Sequence, residues 1–406
     1  MTQQILHRPL YQGICTCLQD IFEHNRYADK VIERTFKHHK QWGSRDRALV
    51  AEAVYTIVRN WRLYTALCAS ESAPWPSSIW DQCLQVHYLL AHGNIPEYNW
   101  VTPLSPDLIR QRQKALTDKI EYKYSVPDWL FEYGADQLGQ DVWARELAAM
   151  HHKAPITLRA NTLKVTVEEL TESLIKEGLE CQPAEHIKHG IKLIQGRNVF
   201  TLPAFHQGWF EAQDAGSQMV SEFCAPFLGS SVIDACAGAG GKTLHLAAIM
   251  KNKGKIVALD VDEHKLLTLK QRARRAGAFN IETRLINNEK VIKKLANKAD
   301  LVLLDAPCSG SGVWRRNPDA KWKSSLKTLY NLLDTQKAIL DRYSIMVKPG
   351  GTLVYATCSL FPSENNLQIT TFLNHHPEFT LVKQLNLTPA NNDTDGFFMA
   401  SLKREY

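Results

Sequence analysis

The spacing of apolar residues changes character along the chain. Over the first hundred residues apolar side chains recur at intervals of three and four, as across 45–59, where Leu49, Val50, Ala53, Val54, Ile57 and Val58 are interspersed with Arg45, Arg47 and Arg59. This is the pattern of amphipathic helices, and strand-like alternation is missing, so a helical unit is expected. Ser44 is expected to cap the helix that follows it, with Gly43 in the turn before. Residues 73–106 carry five prolines, which predicts a hairpin or irregular connection and a domain boundary there.

A mixed segment comes next. Residues 129–150 read as helix, 156–161 as strand, 166–178 as a helix capped by Thr166, and 190–202 as strands. Beyond Asp214 short apolar runs alternate regularly with helical stretches. The runs at 231–236, 255–260, 281–286, 300–306 and 351–357 are expected strands, each of the first four followed by a helix, and 396–403 closes the series. Such alternation predicts a mostly parallel sheet covered on both faces. The expected fold class is therefore α/β: a doubly wound, Rossmann-like domain over 214–406, a linker helix with a small α+β module over 106–213, and a helical domain over 1–105.

Composition narrows the setting. With 44% hydrophobic and 22% charged residues, the 406-residue chain is expected to be globular throughout. Its longest apolar runs, 301–304 and 352–356, fall far short of the ~20 residues of a membrane helix. His7, Arg8 and Pro9 interrupt the stretch where a secretory signal would need an apolar core, so export is not expected. The nine cysteines include no C-x-x-C pair and no His/Cys cluster of zinc-finger spacing. Neither a disulfide framework nor a metal is expected, and a reducing cytoplasm fits best. Cys15, Cys17, Cys68, Cys83, Cys181 and Cys224 read as small buried hydrophobes. A net charge of +6 permits a polyanionic partner without requiring one. Within 1–62, ten Lys/Arg face six Asp/Glu, a surplus that suits an RNA-facing surface as well as a solvated one.

Candidate chemistry begins after the first strand of the alternating region, at Asp234-Ala235-Cys236-Ala237-Gly238-Ala239-Gly240-Gly241-Lys242-Thr243. Glycines let the backbone approach a ligand beyond the carboxyl end of a strand. Asp260 closes the second strand about twenty residues later, where a carboxylate accepts hydrogen bonds from ribose hydroxyls. The pair implies a nucleoside cofactor. A P-loop is excluded, because its first glycine would have to stand at Cys236. For Asp260 a simple helix-capping role is compatible with the same position.

Two further strands end in cysteines: Asp305-Ala306-Pro307-Cys308-Ser309-Gly310 and Tyr355-Ala356-Thr357-Cys358-Ser359. If these strands are neighbours, ~4.8 Å apart, both thiols overlook one crevice with Asp305. A thiolate that adds to C6 of a cytosine converts the ring into an enamine whose C5 can accept a methyl group. An acid near N3 steadies the adduct, and a base then removes the C5 proton.

At these residues the chain resembles the S-adenosylmethionine-dependent RNA cytosine-5 methyltransferases of the Sun/RsmB/NOP2 family. The resemblance covers at least 155–402 and extends to Pro362, Glu364 and Asn365, to Arg315-Arg316-Asn317-Pro318-Asp319 with Lys321-Trp322, to Arg159-Ala160-Asn161, and to 213–218. It implies a class I methyltransferase domain in which Cys358 is the nucleophile and Cys308 assists release of the methylated RNA. It implies cofactor contacts at Cys236, Ala237, Gly238, Ala239, Gly240, Gly241, Lys242, Asp260, Asn288 and Asp305, with Asp305 or Lys242 near the target base. RNA contacts are expected at Arg159, Asn161, Arg315, Arg316 and Lys321. Two positions depart from the family pattern: Gly238-Ala239 replaces Ala-Pro in the loop, and Asn288 stands where an acid is expected after the third strand. The N-terminal helices, chiefly 44–63, resemble a NusB-like RNA-binding domain. Ribosomal RNA is the expected partner; transfer RNA, a small-molecule acceptor, or RNA binding without turnover in ribosome assembly are the alternatives.

Overall fold

The computed structural model describes residues 7–96, 98, 100–185, 187–195 and 198–405. Residues 1–6 of the stretch weighed as a secretory signal, and 196–197 of the stretch read as strands, lie outside the described residues. The chain divides into two compact units. One holds the chain up to His151 together with Trp314–Leu326, and the other holds His152–Val313 and Lys327–Tyr406.

The first unit is helical. Helices Arg8–Phe22, Ala28–His38, Ser44–Arg59 and Ile79–His92 bury Ile14, Leu18, Val54, Ile57 and Leu84 in a common core. Ser44 is the first helical residue and Gly43 the cap: the Gly43 N–H donates to Asp46 Oδ2 at 3.2 Å, so the acid one turn on performs the reciprocal bond that fixes this end. A helix also occupies part of 73–106. Pro74 and Pro76 precede Ile79–His92, Pro96 and Pro103 follow it, and Pro106 opens the next helix, Pro106–Leu116, so no proline interrupts a hydrogen-bonded turn. The stretch 129–150 is two helices, Asp128–Leu138 and Gln140–His151, separated at Gly139 with φ +81°. The boundary expected near 105 therefore falls inside a unit that continues to His151.

The second unit contains two sheets. The smaller is antiparallel, in the order β2-β3-β1-β4, from β1 (Ile156–Ala160), β2 (Cys181–Pro183), β3 (Gly190–Leu193) and β4 (Phe210–Ala212). Helix Val167–Lys176 packs with it, capped as expected by Thr166, whose Oγ1 accepts from Glu169 N–H while Glu169 Oε2 accepts from Thr166 N–H. The strand read over 190–202 ends at Leu193; a short 3-10 turn, Val199–Thr201, and helix Pro203–His206 follow.

The larger sheet comprises β5 (Ser231–Asp234), β6 (Lys255–Asp260), β7 (Ile281–Leu285), β8 (Ala299–Asp305), β9 (Val347–Thr357), β10 (Phe379–Leu387) and β11 (Phe397–Arg404). Its order is β10-β11-β9-β8-β5-β6-β7, parallel from β9 through β7 and antiparallel at β11 and β10. The central parallel strands are buried on both faces: Ile233, Val302, Leu304 and Leu353 on one side, Val232, Leu301, Leu303 and Val354 on the other. This is the expected α/β, Rossmann-like class. Strand order reverses between β5 and β8, which opens a crevice beyond their carboxyl ends. Among the described residues no helix is long and apolar enough to cross a membrane.

Candidate active site

The glycine loop runs from the end of β5 into helix Gly241–Ile249. Gly240 has φ +88°, and a Cβ there would stand 2.5 Å from Leu269 Cγ, so both backbone and packing require glycine. Gly238 has φ +53° and nothing within 4 Å of where a Cβ would project, so the loop offers bare backbone to open space. Its N–H donates to Asp260 Oδ2 at 2.7 Å, and Asp262 N–H donates to Oδ1 at 2.9 Å. Asp260, at the end of β6, thus fixes the loop while each oxygen retains a free lone pair. Beyond the ends of β6 and β7 lies a cavity of about 390 Å³ lined by Val261, Asn288, Ile292 and Tyr343 among others. These features fit a nucleoside cofactor. The Asn288 amide is engaged locally: Oδ1 accepts from Lys290 N–H and caps helix Glu289–Lys293, and Nδ2 donates to Asn287.

The two cysteines meet. Strands β8 and β9 are parallel neighbours with Asp305 opposite Ala356, and the sulfurs of Cys308 and Cys358 are 3.3 Å apart. The hydrogen bond to Cys358, together with burial, holds the Cys308 thiol well above the usual thiol range. The two thiols are within hydrogen-bonding distance, and either sulfur could be the donor.

Glu364 locks both cysteine loops. Its buried carboxylate accepts from Ser309 N–H at 2.8 Å, from the Ser309 and Ser359 hydroxyls at 2.5 Å each, and from Gln336 Nε2 at 3.0 Å. Gln336 Nε2 also donates to Pro307 O. Asn365 accepts from Thr357 Oγ1 and donates to Ser359 O, while Tyr355 Oη donates to Glu364 O. Every residue flanking the two thiols is thus tied to one Glu-Asn pair. The sequence contains this pair seven residues past Thr357, but nothing local to it discloses that its carboxylate turns back between two strand ends.

Lys242 Nζ donates to Asp305 Oδ2 at 2.6 Å and lies 5.2 Å from the Phe397 ring centroid. Burial would lower its pKa, but the charge and hydrogen bond of Asp305, with contributions from Cys358 and Asp234, outweigh burial and leave it raised. Lys242 is a permanent cation in the same crevice as the thiols. The half-buried Cys236 thiol is pushed upward by desolvation and by Asp234, which does not favour it as a nucleophile.

Four of the five expected RNA contacts are buried. Arg159 is 2% exposed; its guanidinium donates to Gly241 O at 2.6 Å and to Gln213 Oε1, which anchors the loop helix to the smaller sheet. Asn161 Nδ2 donates to Gly208 O and Ala276 O. In the helical unit, Lys321 Nζ donates to Arg59 O and Tyr124 O, and Arg315 is 4% exposed, its carbonyl accepting from Arg59. The Arg159, Asn161 and Lys321 side chains satisfy backbone carbonyls at packed junctions, where a sequence shows only their polarity. Arg316 is half-buried. Of the six cysteines read as buried, Cys15 and Cys181 are partly exposed.

The chain is similar to known proteins. Residues 223–403 match the family of the 16S rRNA methyltransferases RsmB/F, and 126–200 match the ferredoxin-like domain found in RsmF/B-like methyltransferases. The "probable ribosomal RNA small subunit methyltransferase B" of Synechocystis sp. is 29% identical over 95% of this chain and 97% of its own length. The "ribosomal RNA small subunit methyltransferase B" of Pectobacterium atrosepticum is 34% identical over 72% of this chain and 70% of its own. The crystal structure of PH0851 superposes with a TM-score of 0.83 at 27% identity, covering 99% of this chain and all of that one.

Proposed function

Because the chain belongs to the RsmB/F family of S-adenosylmethionine-dependent ribosomal RNA methyltransferases, we propose that it methylates C5 of a cytosine in ribosomal RNA through a covalent Cys358–C6 adduct. The observation that carries this reading is the 3.3 Å separation of two thiols at adjacent strand ends beside a Lys-Asp pair. When bound, S-adenosylmethionine supplies the electrophilic methyl group. Backbone of 236–242 and the carboxylate of Asp260 are the groups that would hold it, with Asn288 at the edge of the cavity beyond β7.

The remaining work falls to side chains of the crevice. Cys358 adds to C6 as the thiolate and forms the S–C6 bond. Negative charge pushed toward N3 is met by the Lys242 ammonium, which its salt bridge to Asp305 holds in place. After methylation the C5–H bond gives up its proton to a base. Its electrons re-form the C5–C6 double bond as the Cys358 thiolate departs, and Cys308 is the group we assign to this release. The target cytosine has to leave its stack to reach the crevice.

Transfer of labelled methyl groups to small-subunit ribosomal RNA, followed by bisulfite sequencing, tests this reading. A single cytosine protected from conversion is expected. Label recovered only in transfer RNA, or on an atom other than cytosine C5, would remove the substrate or the chemistry respectively.

A further inference from the structure

We propose that His189, Glu222 and His245 form a binding site for a single zinc ion, apart from the thiol crevice. The three residues come from different elements of the second unit. His189 lies in the turn entering β3, with its carbonyl accepting from Ala160 N–H at the end of β1. Glu222 is on helix Ala215–Cys224, and His245 is on helix Gly241–Ile249, directly after the glycine loop. One nitrogen from each imidazole and one carboxylate oxygen all lie within 4.8 Å of each other. His189 Nδ1 is 3.1 Å from His245 Nε2 and 3.9 Å from Glu222 Oε1. Those two distances bracket the ~3.3 Å edge of a tetrahedron with zinc–ligand bonds of about 2.0–2.1 Å.

Hydrogen bonding alone leaves the cluster unbalanced. One proton shared between the imidazoles satisfies that pair, yet Glu222 Oε1 is buried with no hydrogen-bond partner, and 3.9 Å is too long for it to accept from His189. An unpaired buried carboxylate oxygen is costly, and a cation between the three atoms removes that cost. Two imidazoles and one carboxylate favour zinc over calcium or magnesium, which prefer all-oxygen sites. His245 is fully buried and the side chains of His189 and Glu222 are 14% and 24% exposed, which leaves water a route to a fourth position. Lys188 and Arg159 bring positive charge nearby, so the affinity is expected to be moderate. The ion's role would be structural, clamping the smaller sheet to the helix that carries the loop. Sequence spacing hides such a site, because its ligands are far apart along the chain.

The test uses full-length, untagged protein carrying Cys308→Ser and Cys358→Ser, so that the paired thiols of the crevice do not compete for metal. After chelation and dialysis, zinc chloride titration is expected to give one zinc per chain by elemental analysis and a higher thermal midpoint. Cobalt should give visible d–d bands without the near-ultraviolet sulfur charge-transfer band. His189→Asn and Glu222→Gln, both at the partly exposed side of the cluster, should each lower zinc affinity by more than the ~10–100-fold that loss of an outer-shell partner costs. They should also abolish the midpoint shift while leaving the far-ultraviolet circular dichroism unchanged. Retention of less than one zinc per ten chains in the chelated and reloaded parent, or equal affinity in parent and both variants, overturns the site.

Discussion

The Cys308 sulfur lies 3.3 Å from the Cys358 sulfur, at the ends of adjacent parallel strands. The proposed reaction gives the two thiols different roles. Cys358→Ala is expected to abolish methyl transfer and to form no covalent RNA complex. Cys308→Ala retains the nucleophile but loses the release step, so a protein–RNA adduct should accumulate and persist on a denaturing gel. An adduct with Cys358→Ala and none with Cys308→Ala would reverse the two roles.

Glu364 makes a different prediction because it supports the thiols from behind. Its carboxylate accepts hydrogen bonds from Ser309, Ser359 and Gln336, and an amide in its place turns one acceptor oxygen into a donor facing other donors. Glu364→Gln is expected to cost about 2–3 kcal/mol of stability. The kcat should fall by roughly 10²-fold, since a displacement of about 1 Å costs that much. S-adenosylmethionine affinity, measured by calorimetry, should stay as it was. A kcat within twofold of wild type would mean that the two loops keep their places without this clamp.

The parts of the molecule that sequence discloses are those with local signals. β5, β6, β8 and β9 are buried on both faces and so announce themselves as apolar runs, and their order of alternation with helices is enough to give the parallel sheet. β10 was not foreseen, because it lies at the sheet edge with most of its residues exposed and no apolar run to mark it. The thiol pair could be anticipated because two neighbouring strands end in the same residue type. The Glu364 clamp could not, since it depends on how a turn folds back across two strand ends. Arg159 and Lys321 pose a related difficulty: a basic residue looks alike in sequence whether it meets phosphate or a buried carbonyl.

Gly240 permits a test of the cofactor loop. With φ +88° and only 2.5 Å to Leu269 Cγ, alanine would meet both backbone strain and a clash in the core. Gly240→Ala is expected to lose at least about 2 kcal/mol by denaturant titration. Its S-adenosylmethionine affinity should fall more than tenfold, whereas Gly238→Ala, with open space before it, should weaken the cofactor with a smaller loss of stability. Equal stability losses in the two variants would count against the packing account of Gly240.

Asp234, at the end of β5, carries a pH signature. It is 1% exposed, its Oδ2 accepts from Thr243 Oγ1 at 2.7 Å, and its Oδ1 has no partner. Burial pushes its pKa from 3.8 up to about 7. Between those values the native state holds a proton that the unfolded chain has released, so stability falls as pH rises: the contribution is complete below about 4 and is lost through about 7. Asp234→Asn removes this titration while keeping the Thr243 acceptor. Urea unfolding at about pH 5.5 and about pH 8.5 should therefore show wild type losing about 2 kcal/mol relative to the variant across that interval. Parallel pH profiles for the two proteins would mean that Asp234 is already ionised at the lower pH and that its buried charge is compensated by Lys242.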